Sequence, residues 1–143
     1  MMNICYFKKI SVLLLLFLSN SVVWSQDSPN IILLIGDGMG LTQISAGMYS
    51  NGNSTALEGF EHIGLSKTSS SNSLVTDSAA SGTAMATGVK TLNGVLGISS
   101  KNIKQKSILE ICQELNYTTA LIATSSIVHA TPASFYAKED SRY

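Results

Sequence analysis

Five aliphatic residues in a row, Ile31 to Ile35, stop abruptly at Gly36-Asp37-Gly38-Met39-Gly40. An aliphatic run without a polar face reads as a strand covered on both sides, the kind found in parallel sheets. In open α/β sheets, ligands gather beyond the carboxyl ends of such strands. Glycines there let the backbone turn sharply and come close to a ligand. A carboxylate at that point, Asp37, suits a cation such as Mg²⁺ or Zn²⁺. Asp37 fits equally a turn residue that only caps the helix expected over Leu41–Tyr49. The glycine spacing is not the G-x-G-x-x-G of dinucleotide sites.

The pattern downstream alternates. Residues 50–58 are rich in Asn, Gly, Ser and Thr and read as a loop. His62–Lys67 reads as a strand and Thr68–Ser73 as a polar tract. Ala79–Thr87 is a run of small residues suited to a tightly packed helix, with Gly88 as its stop. Ser107 and Glu110 have capping-box spacing and open a helix to about Leu115. Ile108, Ile111, Cys112 and Leu115 fall on one face of it, which predicts burial. Thr119–Ala123 reads as another buried strand. Strands alternating with helices predict an α/β fold, a three-layer α/β/α sandwich around a largely parallel sheet, of which this chain carries the N-terminal portion.

At 143 residues, 45% hydrophobic and 13% charged, the chain has the composition of a folded domain rather than a disordered one. Without Lys8 and Lys9, seven basic residues face nine acidic ones. No basic stripe remains, which argues against nucleic-acid binding. Those two lysines precede the apolar run Ile10–Leu18, and small or polar residues follow it, the order of a secretory signal peptide. Cleavage is expected after Ser25, so residues 1–25 are read as the signal and residues 26–143 as the mature part. The run is about half the ~20 residues of a spanning helix, so stable membrane insertion is not expected. The destination is the periplasm or the exterior. Cys5 lies inside the signal, which leaves Cys112 alone, without an internal disulfide and expected in the core.

Two further clusters carry chemistry. In Thr76-Asp77-Ser78-Ala79-Ala80-Ser81-Gly82-Thr83-Ala84, Ser78 stands at the start of the small-residue helix, where the dipole and free amides favour an alkoxide and a bound phosphate. Asp77 or Ser78 fits a plain helix cap as well. The G-x-S-x-G elbow of Ser-His-Asp hydrolases is excluded because Thr76 occupies its first glycine position. Ser78 then needs another activator, and a metal ion would serve. Past the strand at Thr119–Ala123 come His129, Ala130, Thr131 and Pro132. Imidazole is a common metal ligand and a Thr hydroxyl can join a Mg²⁺ shell, although a lone loop His is more often only solvated. Arg142 supplies a guanidinium able to clamp a phosphate, or a surface charge. A carboxylate, a nucleophile and metal ligands at three strand ends together suit metal-assisted phosphoryl transfer.

These stretches resemble the alkaline phosphatase family. Asn30 to Gly40 looks like its opening strand and metal turn, and Val75 to Ala84 is similar to its nucleophile signature. Thr87-Gly88-Val89-Lys90-Thr91 with Asn93-Gly94 continues that signature, and Ala130-Thr131-Pro132-Ala133 is similar to its magnesium segment. The resemblance implies hydrolysis of small phosphate monoesters through a phosphoserine at a site with two Zn²⁺ and one Mg²⁺. Asp37 would bridge a zinc and the magnesium, and Ser78 would attack phosphorus while bound to that zinc. Arg142 would hold the phosphate oxygens, Asp77 would orient Arg142, and Thr131 would ligate magnesium. His129 stands where some members carry Asp, which implies weaker magnesium binding and a place at or beside the third metal. A homodimer is implied for the full-length protein.

Family chains continue well past this point, and the chain has only two histidines, His62 and His129. Two zinc sites need more ligands than these clusters supply, so the chain is read as an N-terminal fragment, inactive by itself. Two other readings stand beside it. A sulfatase needs Pro and Arg where Ala80 and Gly82 stand, and many related phosphodiesterases use Thr as nucleophile. An exported non-catalytic module would lack later His and Asp clusters. Sequons at Asn53 and Asn116 matter only in a host that glycosylates.

Overall fold

The computed structural model describes residues 29–143. The expected signal sequence, with Cys5, the run Ile10–Leu18 and the cut after Ser25, lies outside the described residues. The chain divides into two units, Met1–Leu34 and Ile35–Tyr143. Of the first, Pro29–Leu34 is described; Ile32 and Leu34 are 82% and 83% exposed. The second carries helices α1 (Leu41–Ser50), α2 (Ser78–Thr87), α3 (Ile108–Glu114) and α4 (Ala130–Ala133), with a 3-10 turn at Ala56–Gly59. No helix among the described residues is long and apolar enough to cross a membrane.

The helices arise where local chemistry specifies them. Asp77 caps α2 by accepting the Ala80 N–H at 2.9 Å. Gly88 ends it in the left-handed region at φ 74°, a conformation that favours glycine. The α3 capping box forms as expected: Ser107 Oγ accepts the Glu110 N–H at 3.2 Å, and Glu110 Oε2 accepts the Ser107 N–H at 2.7 Å. A second capping box, at Thr55 and Glu58, builds the 3-10 turn inside the stretch read as a loop.

The strands fare differently. Among the described residues there is no strand ladder, only isolated antiparallel bridges at Leu96–Glu139 and Ile98–Lys104. Ile31–Ile35, His62–Lys67 and Thr119–Ala123 are not paired as strands, and Leu65 and Ile122 are 100% and 96% exposed. The expected parallel-sheet sandwich is therefore not formed among these residues. The physical reason is that a strand, unlike a helix, satisfies its N–H and C=O groups only through a neighbour. The apolar face expected on α3 is also uncovered: Ile108, Ile111 and Leu115 are exposed, and Cys112 is a half-buried free thiol rather than a core residue.

The core that does form is built on small residues. Ala79 of α2 packs with Leu96, Ala130 and Ala133, and Ala137 lies against them. Small side chains bring α2 and α4 close: a β-carbon at Gly82 would lie 3.5 Å from Thr131 Cα. Thr83 is fully buried; its hydroxyl accepts the Gly97 N–H at 2.9 Å and donates to the Val95 carbonyl at 3.2 Å. The Leu96–Glu139 bridge, with N–H···O distances of 2.8 and 2.9 Å, then draws the segment that carries Arg142 alongside α2. The α2–α4 contact, the Thr83 anchor and this bridge position the site.

Candidate active site

Asp37 sits in a tight turn where the Met39 N–H donates to the Gly36 carbonyl at 3.2 Å. Gly38 has φ 67°, a conformation that favours glycine. The turn aims the carboxylate at two hydroxyls. Ser78 Oγ donates to Asp37 Oδ1 at 3.0 Å, and Thr131 Oγ1 donates to Asp37 Oδ2 at 2.8 Å. Ser78 is the first residue of α2 and Thr131 lies on α4, so the packing of those two helices sets the gap that the carboxylate spans.

One residue before Ser78, the carboxylate of Asp77 is held from three sides. Oδ1 accepts the Ala80 N–H, and Oδ2 accepts the Gly94 N–H at 3.0 Å and Arg142 Nη1 at 3.2 Å. Partial burial pushes its pKa up, but the two amides and the guanidinium together outweigh that and hold it below the usual carboxylate range. Arg142 also lies over the Tyr143 ring, 5.6 Å from its centroid. The fork of Arg142 is thus anchored beside the nucleophile candidate by a residue that stays ionised.

His129 is the N-cap of α4; its carbonyl accepts the Ala133 N–H at 2.9 Å. No hydrogen bond among the described residues joins its imidazole to Asp37, Ser78 or Thr131. No group of three His, Cys, Asp or Glu side chains gathers among the described residues. The donors that do converge are one carboxylate and two hydroxyls, all oxygen, a set suited to a hard cation. An open depression of about 510 Å³ borders Asp37 and Thr131 and is lined further by Ser69, Thr76, Ser81 and Lys90.

The sequence reading gave no role to Asn93, although its side chain and the Gly94 amide both contact Asp77. The available signals were the Asn-Gly pair, which by itself marks only a turn, and its place in the stretch that continues the Val75–Ala84 signature.

Residues 28–143 match the family model described as Alkaline phosphatase. The chain belongs to the alkaline phosphatase family. It is 43% identical over 122 residues to alkaline phosphatase 4 of Bacillus subtilis, a match covering 79% of this chain and 26% of that protein. With the alkaline phosphatase of Escherichia coli it shares 40% over 128 residues, 81% of this chain and 27% of that one. Against the solved alkaline phosphatase from the Antarctic bacterium TAB5 the TM-score is 0.76 with 49% identity, covering 79% of this chain and 33% of that one. The chain therefore spans about a quarter of the length of these curated relatives, and its described part shares the alkaline phosphatase fold. A histidine-to-aspartate mutant of the TAB5 enzyme, equally similar, is described with Mg bound in the M3 site.

Proposed function

We propose that this chain supplies the nucleophile and phosphate-holding residues of a phosphate monoester hydrolase. The observation that carries the reading is the Asp37 carboxylate, with the Ser78 hydroxyl on one oxygen and the Thr131 hydroxyl on the other, at 3.0 and 2.8 Å. Ser78 Oγ attacks phosphorus in line with the leaving oxygen, the ester P–O bond breaks, the alcohol departs with a proton in place of the one Ser78 gives up, and a phosphoserine forms at the N-terminus of α2. Arg142 receives the phosphate oxygens, held in orientation by Asp77. Water then cleaves the phosphoserine and frees Ser78 for the next turnover.

Asp37, Ser78 and Thr131 fit a cation site by donor chemistry. Asp37 would lie between a zinc and a magnesium, Ser78 on the zinc and Thr131 on the magnesium, with a second zinc completing the set. Bound there, such cations lower the pKa of a hydroxyl or water and offset the charge of the phosphate. The TAB5 mutant with magnesium in its M3 site supports a role for a histidine beside the third metal. His129, two residues before Thr131 in the sequence, would take that role in this chain. The zinc ligands still needed come from sequence beyond these residues, in keeping with the quarter of its relatives that the chain spans. Residues 26–143 alone are therefore expected to be inactive.

The uncovered apolar segments around Leu65 and Ile122 would pair as strands with partners in the rest of the protein. Lys8, Lys9 and the run Ile10–Leu18 direct it to the periplasm or the exterior. The full-length protein is a homodimer acting on small phosphate esters.

The test is chemical. Acid-quenched intact gene product, exposed to labelled phosphate ester, should carry label on a serine; Ser78→Ala should carry none. Undiminished label in that variant would assign the nucleophile elsewhere.

A further inference from the structure

We propose that Asn93 is a positioning residue that sets the phosphate-holding Arg142 and the nucleophile Ser78 by gripping Asp77 and the segment before it; this rests on the roles given above to those two residues. The grip is a single planar amide used at both ends. Asn93 Oδ1 accepts the Asp77 N–H at 3.2 Å, and Asn93 Nδ2 donates to the Val75 carbonyl at 3.0 Å. Those two backbone groups flank Thr76, so the amide clasps the chain just where it enters α2.

The clasp is itself anchored. The Asn93 N–H donates to Asn72 Oδ1 at 3.0 Å. The next residue, Gly94, has φ 87° and turns its N–H onto Asp77 Oδ2 at 3.0 Å. That same oxygen takes Arg142 Nη1. Asp77 is therefore held at its amide by residue 93 and at its carboxylate by residue 94, and the second hold lands on the atom that orients the guanidinium. A turn asparagine that serves only its own loop would bond its own neighbours. This one reaches back 16 and 18 residues instead.

The chemistry demands an amide. Both a donor and an acceptor are needed at once, in one plane, at one length. A carboxylate keeps the acceptor, loses the donor to Val75, and brings a second negative charge next to Asp77. An alanine keeps neither. Small displacements of phosphate-holding groups cost as much as ~100-fold in function, so a clasp on the Asp77–Arg142 pair has measurable leverage.

The experiment uses inorganic phosphate and the intact gene product, with affinity read by calorimetry. Asn93→Ala is expected to weaken phosphate binding about 10- to 100-fold. The double variant Asn93→Ala with Arg142→Ala should bind no more weakly than Arg142→Ala alone, because both losses run through one guanidinium. Asn93→Asp, which keeps the acceptor, should fold even where the alanine variant does not. Its loss relative to wild type should grow as pH rises through the carboxylate range and the new carboxyl ionises. Wild-type affinity in Asn93→Ala, additive losses in the double variant, or a pH-independent loss in Asn93→Asp would overturn the proposal. Phosphoserine forming on Ser78 with phosphate affinity insensitive to position 93 would remove the positioning role and leave the proposed function standing. Absence of phosphoserine, with the non-additive losses intact, would do the reverse.

Discussion

Ser134 fills the space that a side chain on Gly82 would need: a β-carbon built at Gly82 would lie 2.6 Å from Ser134 Oγ. The hydroxyl cannot swing away, because it is fully buried and donates to the Ala130 carbonyl at 2.7 Å. Two effects compete in Gly82→Ala. Helix propensity favours alanine by up to ~1 kcal/mol, while overpacking costs about 1–3 kcal/mol. The contact is tight enough that overpacking wins. Urea unfolding should show the variant destabilised, and a stabilised variant would mean that α2 and α4 do not meet as described.

Asp77 combines a cap and an anchor on separate oxygens, and Asp77→Asn parts them. Asparagine caps helices as well as aspartate does, so α2 should keep its start, and any fall in the thermal midpoint comes from the contacts of the second oxygen. The charged bond to Arg142 is lost, and such bonds contribute about 1.5–3 kcal/mol. Phosphate affinity should fall by roughly 10- to 100-fold, the same energy expressed as a ratio. The folded pKa of Asp77 lies below its ordinary value. Its contribution is therefore complete above the usual carboxylate range and is lost as pH falls through the lowered folded value. Phosphate titrations of wild type and variant should converge at acid pH.

Glu110 accepts Lys138 Nζ at 2.7 Å and the Ser107 amide, and these contacts lower its pKa from 4.5 to about 2. Stability from this group is fully present above pH 4.5 and is lost as pH falls towards about 2. Glu110→Gln should lower stability at neutral pH and flatten the acid limb, so that variant and wild type converge as pH falls towards about 2. A limb of undiminished slope, measured by urea midpoints across that range, would place the titrating group elsewhere.

Thr131→Val keeps the shape of the side chain and removes the hydroxyl that meets Asp37 at 2.8 Å. With the intact gene product stripped by chelator, the variant should need about 10-fold or more magnesium for half-recovery of activity. Equal requirements would take Thr131 out of the proposed magnesium site.

Helices were legible from the sequence because their signals are local. Ser107 with Glu110, and Asp77 with Gly88, carry their caps within one or two turns, and the observed ends match. The strands expected at Ile31–Ile35, His62–Lys67 and Thr119–Ala123 rest on local residue pattern alone, and a local pattern names no partner. The meeting of Asp37, Ser78 and Thr131 was legible through motifs resembling one family. The clasp by Asn93 was not, because membership of the same signature as Val75 and Asp77 does not say which side chains bond which backbone groups.

The Asp37 carboxylate is satisfied by partners 41 and 94 residues further along the chain. A polypeptide made from its N-terminus must therefore carry that acidic turn unpaired until residue 131 has been added. Contacts of such long range are assembled late and slow the approach to the native state. The first element of the site to be synthesised is thus among the last to be completed.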